Sequence, residues 1–359
     1  MNNAYGAGNV VINNVIDNTL ANKNEGDKAY DFFNKAVDNK VNATKEMQVS
    51  ALNSLANIGE LASVNHSTYS MSNVMTDAVV DHVKDDKNIG DNIWARYIHN
   101  KEDINGMSLG GMKANYDATF NGIIVGSDFA KTEKSTTGVS FAYAEGDIKG
   151  NALASRTEND ADYYGLSIYH QIKNNDGSSV LGDISYMHSS NDVTQYNSGE
   201  IITASPDADA FSIGVRAQKD VKVGKGTLSP YAGIRYMHLG TGDYTNSLGM
   251  NYDVEDQNLW LLPVGVSYST EIKYNDWTVK PMAEVGYMWT MGDRQTDQTV
   301  SLYGTADSFG FDVADSSSFF GKLGVTAEND KIAYGIAYQY QKGDTVDANQ
   351  WIANVEFKF

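Results

Sequence analysis

Cysteine is absent from this 359-residue chain, so no disulfide framework, thiolate nucleophile or Cys-based metal site is open to it. Proline is scarce at 4 residues, against 33 glycines and 22 tyrosines, a balance suited to long strands edged by aromatic rings. Positive charge is also short. Lys and Arg number 27 against 46 Asp and Glu, a formal net charge of -19, and with no basic patch to meet phosphate a nucleic-acid partner is excluded. No apolar run reaches about 18 residues, which excludes a helical membrane span. That limit does not touch a membrane barrel, whose strands hide their hydrophobicity by alternating it.

What is there is alternation. In the last nine residues, Trp351, Ala353, Val355, Phe357 and Phe359 occupy one face, and Asn354, Glu356 and Lys358 the other. A terminal strand ending on an aromatic is unusual beside the polar, frayed ends of most domains. Upstream, Phe211, Ile213, Val215 and Ala217 alternate with Ser212, Gly214, Arg216 and Gln218. Trp260, Leu262, Val264, Val266 and Tyr268 oppose Gly265, Ser267, Ser269 and Glu271. Trp277, Val279, Ala283, Val285, Tyr287 and Trp289 oppose Lys280, Glu284 and Gly286. Ile332, Tyr334, Ile336, Tyr338 and Tyr340 oppose Ala333, Gly335, Gln339 and Gln341. Charges fall on the small and polar face each time. Lipid outside and a polar lumen inside account for both faces, and residues 92–359 hold about twelve such segments, an even number as a closed bacterial barrel requires.

The connections support this reading. Short polar turns are expected near residues 131–135, 173–178, 219–226, 273–276 and 328–331, alternating strictly with longer connections at 189–209, 239–257 and 292–318. Short turns on the periplasmic side and longer outer loops produce that pattern, and it puts Phe359 on the periplasmic side. Pro206 falls in a long connection, Pro230 and Pro281 near strand starts, and a local irregularity is expected at Pro263.

Residues 1–91 have another texture. At Gly8–Asn18, Val and Ile between asparagines read as one strand of a larger structure. From about Asp27 to Val83 the spacing becomes helical, with Leu52, Leu55, Ile58 and Leu61 on one stripe. After a break at Asn65-His66-Ser67, Met71, Met75, Ala78, Val79 and His82 continue on one face. That second stretch is ~24 Å of helix, close to the ~25 Å height of a barrel wall. Residues Met1-Asn-Asn-Ala-Tyr-Gly carry neither a basic stretch nor an apolar core, so the sequence is expected to be a fragment whose export signal lies elsewhere.

Specific runs carry a resemblance. Ile93-Trp-Ala-Arg-Tyr-Ile98, then Tyr116-Asp-Ala-Thr-Phe-Asn-Gly-Ile-Ile-Val-Gly-Ser-Asp128, then the terminal Phe357-Lys-Phe359, resemble in order and spacing the β-domain of autotransporters, over about residues 65–359. The resemblance implies a twelve-stranded antiparallel transmembrane β-barrel in the outer membrane of a Gram-negative-type bacterium. An α-helix at about 67–84 would run through its lumen, and an N-terminal passenger would have crossed to the cell surface. It divides the chain into a passenger remnant or linker at 1–40, a helical linker at 41–91 and the translocator barrel at 92–359. Trp351, Val355, Phe357 and Phe359 become an assembly signal read by the barrel-assembly machinery. Outer-membrane lipid and the chain's own passenger are the other partners, the barrel is expected to be a monomer, and no cofactor is implied.

The lumen candidates are Arg216, Arg235, Glu271, Lys280, Glu284 and Lys322, expected to pair either with Asp77, Asp81, Lys84 or helix backbone, or with one another across the lumen. Passenger cleavage in some autotransporters uses an asparagine in the helix. Asn65 and Asn73 are nearby, but no Asn-Asn pair occurs in the helix, and the uncleaved state is expected.

Other chemistry is set aside. His66, His82, His99, His170, His188 and His238 show no His-x3-His spacing, so no zinc site is expected. His188 and Ser189 are strand neighbours facing opposite ways, which does not make the Ser-His pair of a barrel lipase. No Gly-x-Ser-x-Gly elbow or phosphate-binding loop occurs, and no enzyme activity is expected. The competing function is a small-solute channel, which needs no helix ahead of its first strand.

Overall fold

The computed structural model describes residues 12–38, 58–85, 92–109, 112–152, 155–197 and 200–359. Three helices come first, α1 (Asn13–Asn22), α2 (Lys28–Asp38) and α3 (Ile58–Asp85). Then β1 (Asn92–Leu109), β2 (Met112–Lys131), β3 (Ser135–Ala152), β4 (Ser155–Lys173) and β5 (Ser178–Asn197) follow one another as antiparallel neighbours. β6 (Glu200–Ala204) folds back on β5, beside which β7 (Asp207–Lys219) resumes the wall. β8 (Val221–Val223) turns into β9 (Gly226–Thr241), and β10 (Tyr244–Thr245) with β11 (Asn251–Val254) forms an outgrowth before β12 (Gln257–Thr270). β13 (Ile272–Tyr274) turns into β14 (Trp277–Gly292). β15 (Gln295–Leu302) and β16 (Thr305–Asp312) make a projecting hairpin, and β17 (Ser317–Glu328), β18 (Ile332–Gly343) and β19 (Val346–Lys358) complete the chain.

β19 closes on β1, from Asn92↔Lys358 to Ile104↔Val346. The wall is thus a closed 12-stranded antiparallel barrel of β1–β5, β7, β9, β12, β14 and β17–β19, and closure removes the edges that would otherwise template further pairing. Its polarity is inverted relative to a water-soluble core. Ile93, Ile123, Phe141, Leu166, Ile168, Ile184, Trp351 and Phe357 are exposed outside, whereas Arg96, Asp128, Asp183, Glu284 and Lys322 are buried inside. The strict alternation of these strands dictates this, since side chains one residue apart face opposite sides.

The two ends differ. At one end the strands join through tight turns, such as Tyr274↔Trp277, where Asn275 takes a left-handed φ of 53° that asparagine tolerates. At the other, the loop end, the chain projects. β2 and β5 have 20 residues each against 12 in β17 and β18, about 65 Å against 40 Å of strand at ~3.3 Å per residue. The outward face of the added length carries Asp103, Asp117, Asp147, Asp160 and Asp192, all exposed.

Strict alternation of short turns and long loops does not hold. β1 ends at Leu109 and β2 begins at Met112, β18 ends at Gly343 and β19 begins at Val346, and both junctions lie at the loop end. The stretches expected as loops at 189–209, 239–257 and 292–318 are largely strand: the end of β5 with β6, then β10–β11, then β15–β16. Acidic and Asn-rich composition marks exposure to water, not irregular backbone. At Pro263 the pairing of β12 with β9 skips from Leu261↔Arg235 to Val264↔Ala232, while the pairing with β14 continues through Pro263↔Met288.

The N-terminal strand reading is also corrected. Residues 13–22 form α1, because Ile12, Val15, Ile16 and Thr19 recur at helical spacing and are all buried against the loop end. Residues 8–11 of that stretch, and Leu52 and Leu55, lie outside the described residues. The expected break at Asn65-His66-Ser67 is absent: α3 runs continuously from Ile58 to Asp85. The polar run there interrupts an apolar stripe but not the helix, because the cavity it occupies is itself polar.

Candidate functional site: the filled lumen

α3 has 28 residues, ~42 Å at ~1.5 Å per residue, and runs inside the barrel. Its C-terminal end lies at the turn end, near the start of β1, and its N-terminal end at the loop end. It lies off-centre, closest to β2–β5. Small inward residues on that wall permit the approach. A Cβ at Gly165 would sit 2.3 Å from Met75 Sδ, and Met71 and Met75 pack among Ile98, Ile124, Tyr163 and Met187.

Charge fixes the turn end of the helix. The Asp81 carboxylate accepts from Arg96 at 3.2 Å and is in direct contact with the Lys322 ammonium. Lys84 Nζ meets Glu284 at 2.6 Å, and Arg216 approaches the same carboxylate at 3.7 Å. His82 Nε2 is 3.0 Å from Asp128, whose other oxygen accepts from the Tyr169 hydroxyl at 2.6 Å. Trp94 Nε1 donates to that same hydroxyl at 2.9 Å. Each ion lost its water on burial, and such pairs hold only because every charge has a nearby counter-charge or donor.

The loop end of α3 is held by hydrogen bonds. His66 is 3.0 Å from Glu102 through Nε2 and 2.8 Å from the Val313 carbonyl through Nδ1. Ser70 donates to the other Glu102 oxygen, which also takes a bond of 2.8 Å from Asn100. Asn65 donates to Gln257 at 3.1 Å and accepts from Thr241 at 2.9 Å. Thr68 pairs with Ser189 at 2.8 Å. Ser189 thus faces inward while His188 faces outward onto Asp209 at 2.9 Å, the parting that strand geometry requires. Between the two ends, on the side away from β2–β5, remains a cavity of about 130 Å³ lined by Asn73, Asp77, Arg216, Tyr231, Arg235 and Gln339 among others.

The charged residues singled out from the sequence divide into three groups. Glu284 and Lys322 meet α3 directly, and Arg216 reaches Glu284 while stacking over Tyr231 at 3.5 Å. Arg235 and Lys280 pair with wall acids instead, Arg235 in a two-pronged bond to Asp183 at 2.7 and 2.8 Å and Lys280 with Glu328. Glu271 is the exception. Its parity points inward, but β12 stops at Thr270, and the residue is exposed at the turn end, outside the lumen cluster. Trp351, Val355 and Phe357 share the outer face of β19, and Phe359 follows it, 80% exposed. Sequence reasoning missed Arg96, Glu102, Asp128 and Asp183. All continue the inward parity of their strands, the signal that would have found them.

The known proteins it resembles agree with this architecture. The autotransporter β-domain family profile matches residues 93–346. The uncharacterized protein YaiT of Salmonella typhimurium is 28% identical over 254 residues, covering 68% of this chain and 24% of that protein. Its Escherichia coli K12 counterpart is 26% identical over 189 residues, 51% of this chain and 19% of that protein. The chain therefore spans about a quarter or less of the curated relatives it matches. The translocator domain of autotransporter NalP from Neisseria meningitidis superposes with a TM-score of 0.61 at 14% identity, covering 83% of this chain and 99% of that one. The transport unit of autotransporter AIDA-I from Escherichia coli gives 0.62 at 13%, covering 82% and 99%. At these identities the superpositions speak to the barrel fold alone. The chain belongs to the autotransporter β-domain family.

Proposed function

We propose that this chain is the outer-membrane translocator of an autotransporter, anchoring an N-terminal passenger and mediating its passage to the cell surface. The observation that carries the reading is the path of the chain itself. α3 runs through the lumen from the turn end to the loop end, and α1 and α2 lie beyond it at the loop end. A chain threaded this way has its upstream residues on the opposite side from the start of β1. In this reading the turn end and Phe359 face the periplasm, residues 1–40 belong to the passenger or its link, residues 41–91 form the linker that holds α3, and residues 92–359 form the barrel.

The outward apolar band meets outer-membrane lipid, and Trp351, Val355, Phe357 and Phe359 serve as the label for the barrel-assembly machinery. The lumen charges hold α3 once passage is complete, and the barrel acts as a monomer. A small-solute channel would need an open lumen, and α3 occupies this one.

An epitope tag fused ahead of residue 1 tests the passage. In intact cells it should be removed by added protease while the barrel stays protected. A tag that survives, with barrel present at normal levels, would sink the proposal. In planar bilayers the intact chain should give small or intermittent currents, with a large increase when residues 67–84 are deleted. A large, steady conductance from the intact chain would favour the channel.

A further inference from the structure

The outer wall carries one constellation three times, and the path through the lumen makes no use of it. On β1 the outward residues run from Ile93 through Tyr97 to His99, on β5 from Ile184 through Tyr186 to His188, and on β9 from Ile234 through Tyr236 to His238. Each histidine stands directly across the ladder from an Asn or Asp of the next wall strand: His99 from Asn121, His188 from Asp209 and His238 from Asn258. One side-chain oxygen of that partner receives both the tyrosine hydroxyl and the imidazole Nδ1. The two distances are 3.1 and 2.7 Å at Asn121, 2.5 and 2.9 Å at Asp209, and 2.6 and 3.2 Å at Asn258. Because such an oxygen only accepts, the ring proton sits on Nδ1. Nε2 of His99 and His188 is left as an acceptor, and that of His238 is 3.5 Å from Asp256. A hydroxyl held by the neighbouring strand also lays the tyrosine ring across the wall, with one face outward. Tyr143 repeats the pattern with acids alone, donating to Glu145 at 3.0 Å and Asp162 at 2.9 Å.

These groups mark the loop-end boundary of the apolar band. Outward positions before them are apolar, and those beyond are polar, such as Asp103 after His99 and Asp192 after His188. Toward the turn end, His170 meets Thr137 at 2.8 Å without a tyrosine. Ring pairs on the wall are also unequal. Tyr143–Tyr164, Tyr236–Trp260, Tyr287–Trp289 and Tyr338–Trp351 lie toward the loop end with centroids 4.7–5.4 Å apart, against Trp277–Tyr334 toward the turn end. Aromatic rings at both boundaries are ordinary for a membrane barrel. Hydrogen-bond acceptors gathered over the rings of one boundary are not.

The chemistry limits the occupant. Imidazole Nε2, carboxylate and amide oxygens match a partner that donates, and sugar hydroxyls donate. The weakly positive C–H edges of a sugar suit the negative face of an aromatic ring. A phosphate calls for arginine or lysine. Here Asp103, Asp147, Asp160 and Asp192 oppose an anion, and the nearby Lys149 and Lys342 are held by Asp147 at 2.6 Å and Asp347 at 2.7 Å. We propose that the groups around His99, His188 and His238 form a belt that binds the sugar headgroup of an outer-leaflet glycolipid through its hydroxyls, not its phosphates. The belt rests on the proposed passage, which puts the loop end at the cell surface, the side on which an outer membrane carries glycolipid. It sets the height of the barrel against the sugar layer.

The test uses the full chain folded into nanodiscs of phosphatidylglycerol and a lipopolysaccharide cut back to lipid A with its inner-core sugars, in equal parts. Native mass spectrometry counts the lipids that stay on the barrel. The glycolipid should be enriched over phosphatidylglycerol. His99→Phe/His188→Phe/His238→Phe keeps rings at the boundary but removes the nitrogens, and should lower that enrichment by about fivefold or more. His188→Phe alone should lower it by about twofold, which keeps the test open should the triple variant fail to assemble. The heat-dependent gel shift reports assembly, and stripping the phosphates from the glycolipid should leave its enrichment unchanged. Equal enrichment in wild type and an assembled variant would overturn the belt, as would loss of enrichment with the phosphates. The upstream tag keeps the readings apart: a protected tag with the enrichment intact overturns passage and leaves the belt standing, and an exposed tag without enrichment does the reverse.

Discussion

His82 of α3 lies nearly flat on Trp94 of β1, with ring centroids 4.5 Å apart and planes 20° from parallel. Trp94 in turn covers Gly126 of β2, where a Cβ would fall 2.3 Å from its indole Cε2. Helix, first strand and second strand are therefore interlocked at the turn end, next to the seam where β19 meets β1.

That stack makes Gly126 intolerant of even a methyl group. Gly126→Ala should push Trp94 off His82 and cost about 1–3 kcal/mol, as overpacking does in other close-packed interiors. The measurement is the temperature at which the folded band converts to the unfolded one in a gel-shift series. An unchanged conversion temperature would contradict the interlock.

Asp81 is the anion between Lys322 and Arg96. Asp81→Asn leaves both cations buried without it, and breaking buried pairs costs about 3–5 kcal/mol. Much of that loss should fall on helix docking, so openings in planar bilayers should become at least about tenfold more frequent, since ~1.4 kcal/mol is already a factor of ten. The double variant Asp81→Asn/Lys322→Met should recover part of the quiet behaviour. Equal opening frequencies in wild type and Asp81→Asn would refute the assignment.

Phe359 projects outward with nothing of the barrel over it, so it contributes little to the folded wall. Phe359→Ser should leave the stability of assembled protein, read from its gel-shift temperature, within about 0.5 kcal/mol of wild type, as for exposed substitutions generally. It should nevertheless lower the amount of barrel that reaches the membrane. Normal membrane levels at native expression would remove its role as an assembly label.

Where the N-terminal segment meets the β15–β16 hairpin, the Tyr303 hydroxyl donates to Asp27 at 2.6 Å, and this docked contact should respond to pH at both extremes. The Tyr303 hydroxyl, followed by the Tyr30 backbone N–H, holds the Asp27 carboxyl below its ordinary value of 3.8. A depressed carboxylate stabilises the docked form above that ordinary value, and the contribution fades as pH falls below it. The same hydrogen bond to Asp27 pushes the Tyr303 phenol up from 10.0 to about 12. A raised phenol stabilises below 10.0, and that contribution is lost as pH climbs through about 12. Protease cleavage within 12–38 should be slow at neutral pH and faster below about pH 4. Asp27→Asn should abolish the acid-side change, and an identical acid response in that variant would assign it elsewhere.

Period-2 alternation made the wall readable because one residue's shift exchanges the two faces, which fixed the outward faces of the strands from Phe211 to Phe359. Parity says which face a charge takes but not whether a strand reaches that far, and Glu271 fell to that distinction. Nor does parity give height, so it could not tell Lys322, which meets Asp81, from Lys280, which meets Glu328. The polar run at Asn65-His66-Ser67 looked like a break because apolar periodicity is a poor guide inside a polar cavity. α1 was hidden for a different reason: the Asp307 that caps it lies 292 residues from Val15.

The space left beside α3 sets a limit on traffic. Among the described residues two cavities flank the helix, about 130 Å³ and about 50 Å³, each no larger than an engineered cavity that admits a single benzene and far from what a strand of polypeptide with its side chains occupies. No second length of chain can travel alongside the helix in this state. Under the proposed passage the filled lumen is a resting form, and a chain in transit has to precede the helix or displace it, so a tether that holds Lys84 against Glu284 should jam that transport.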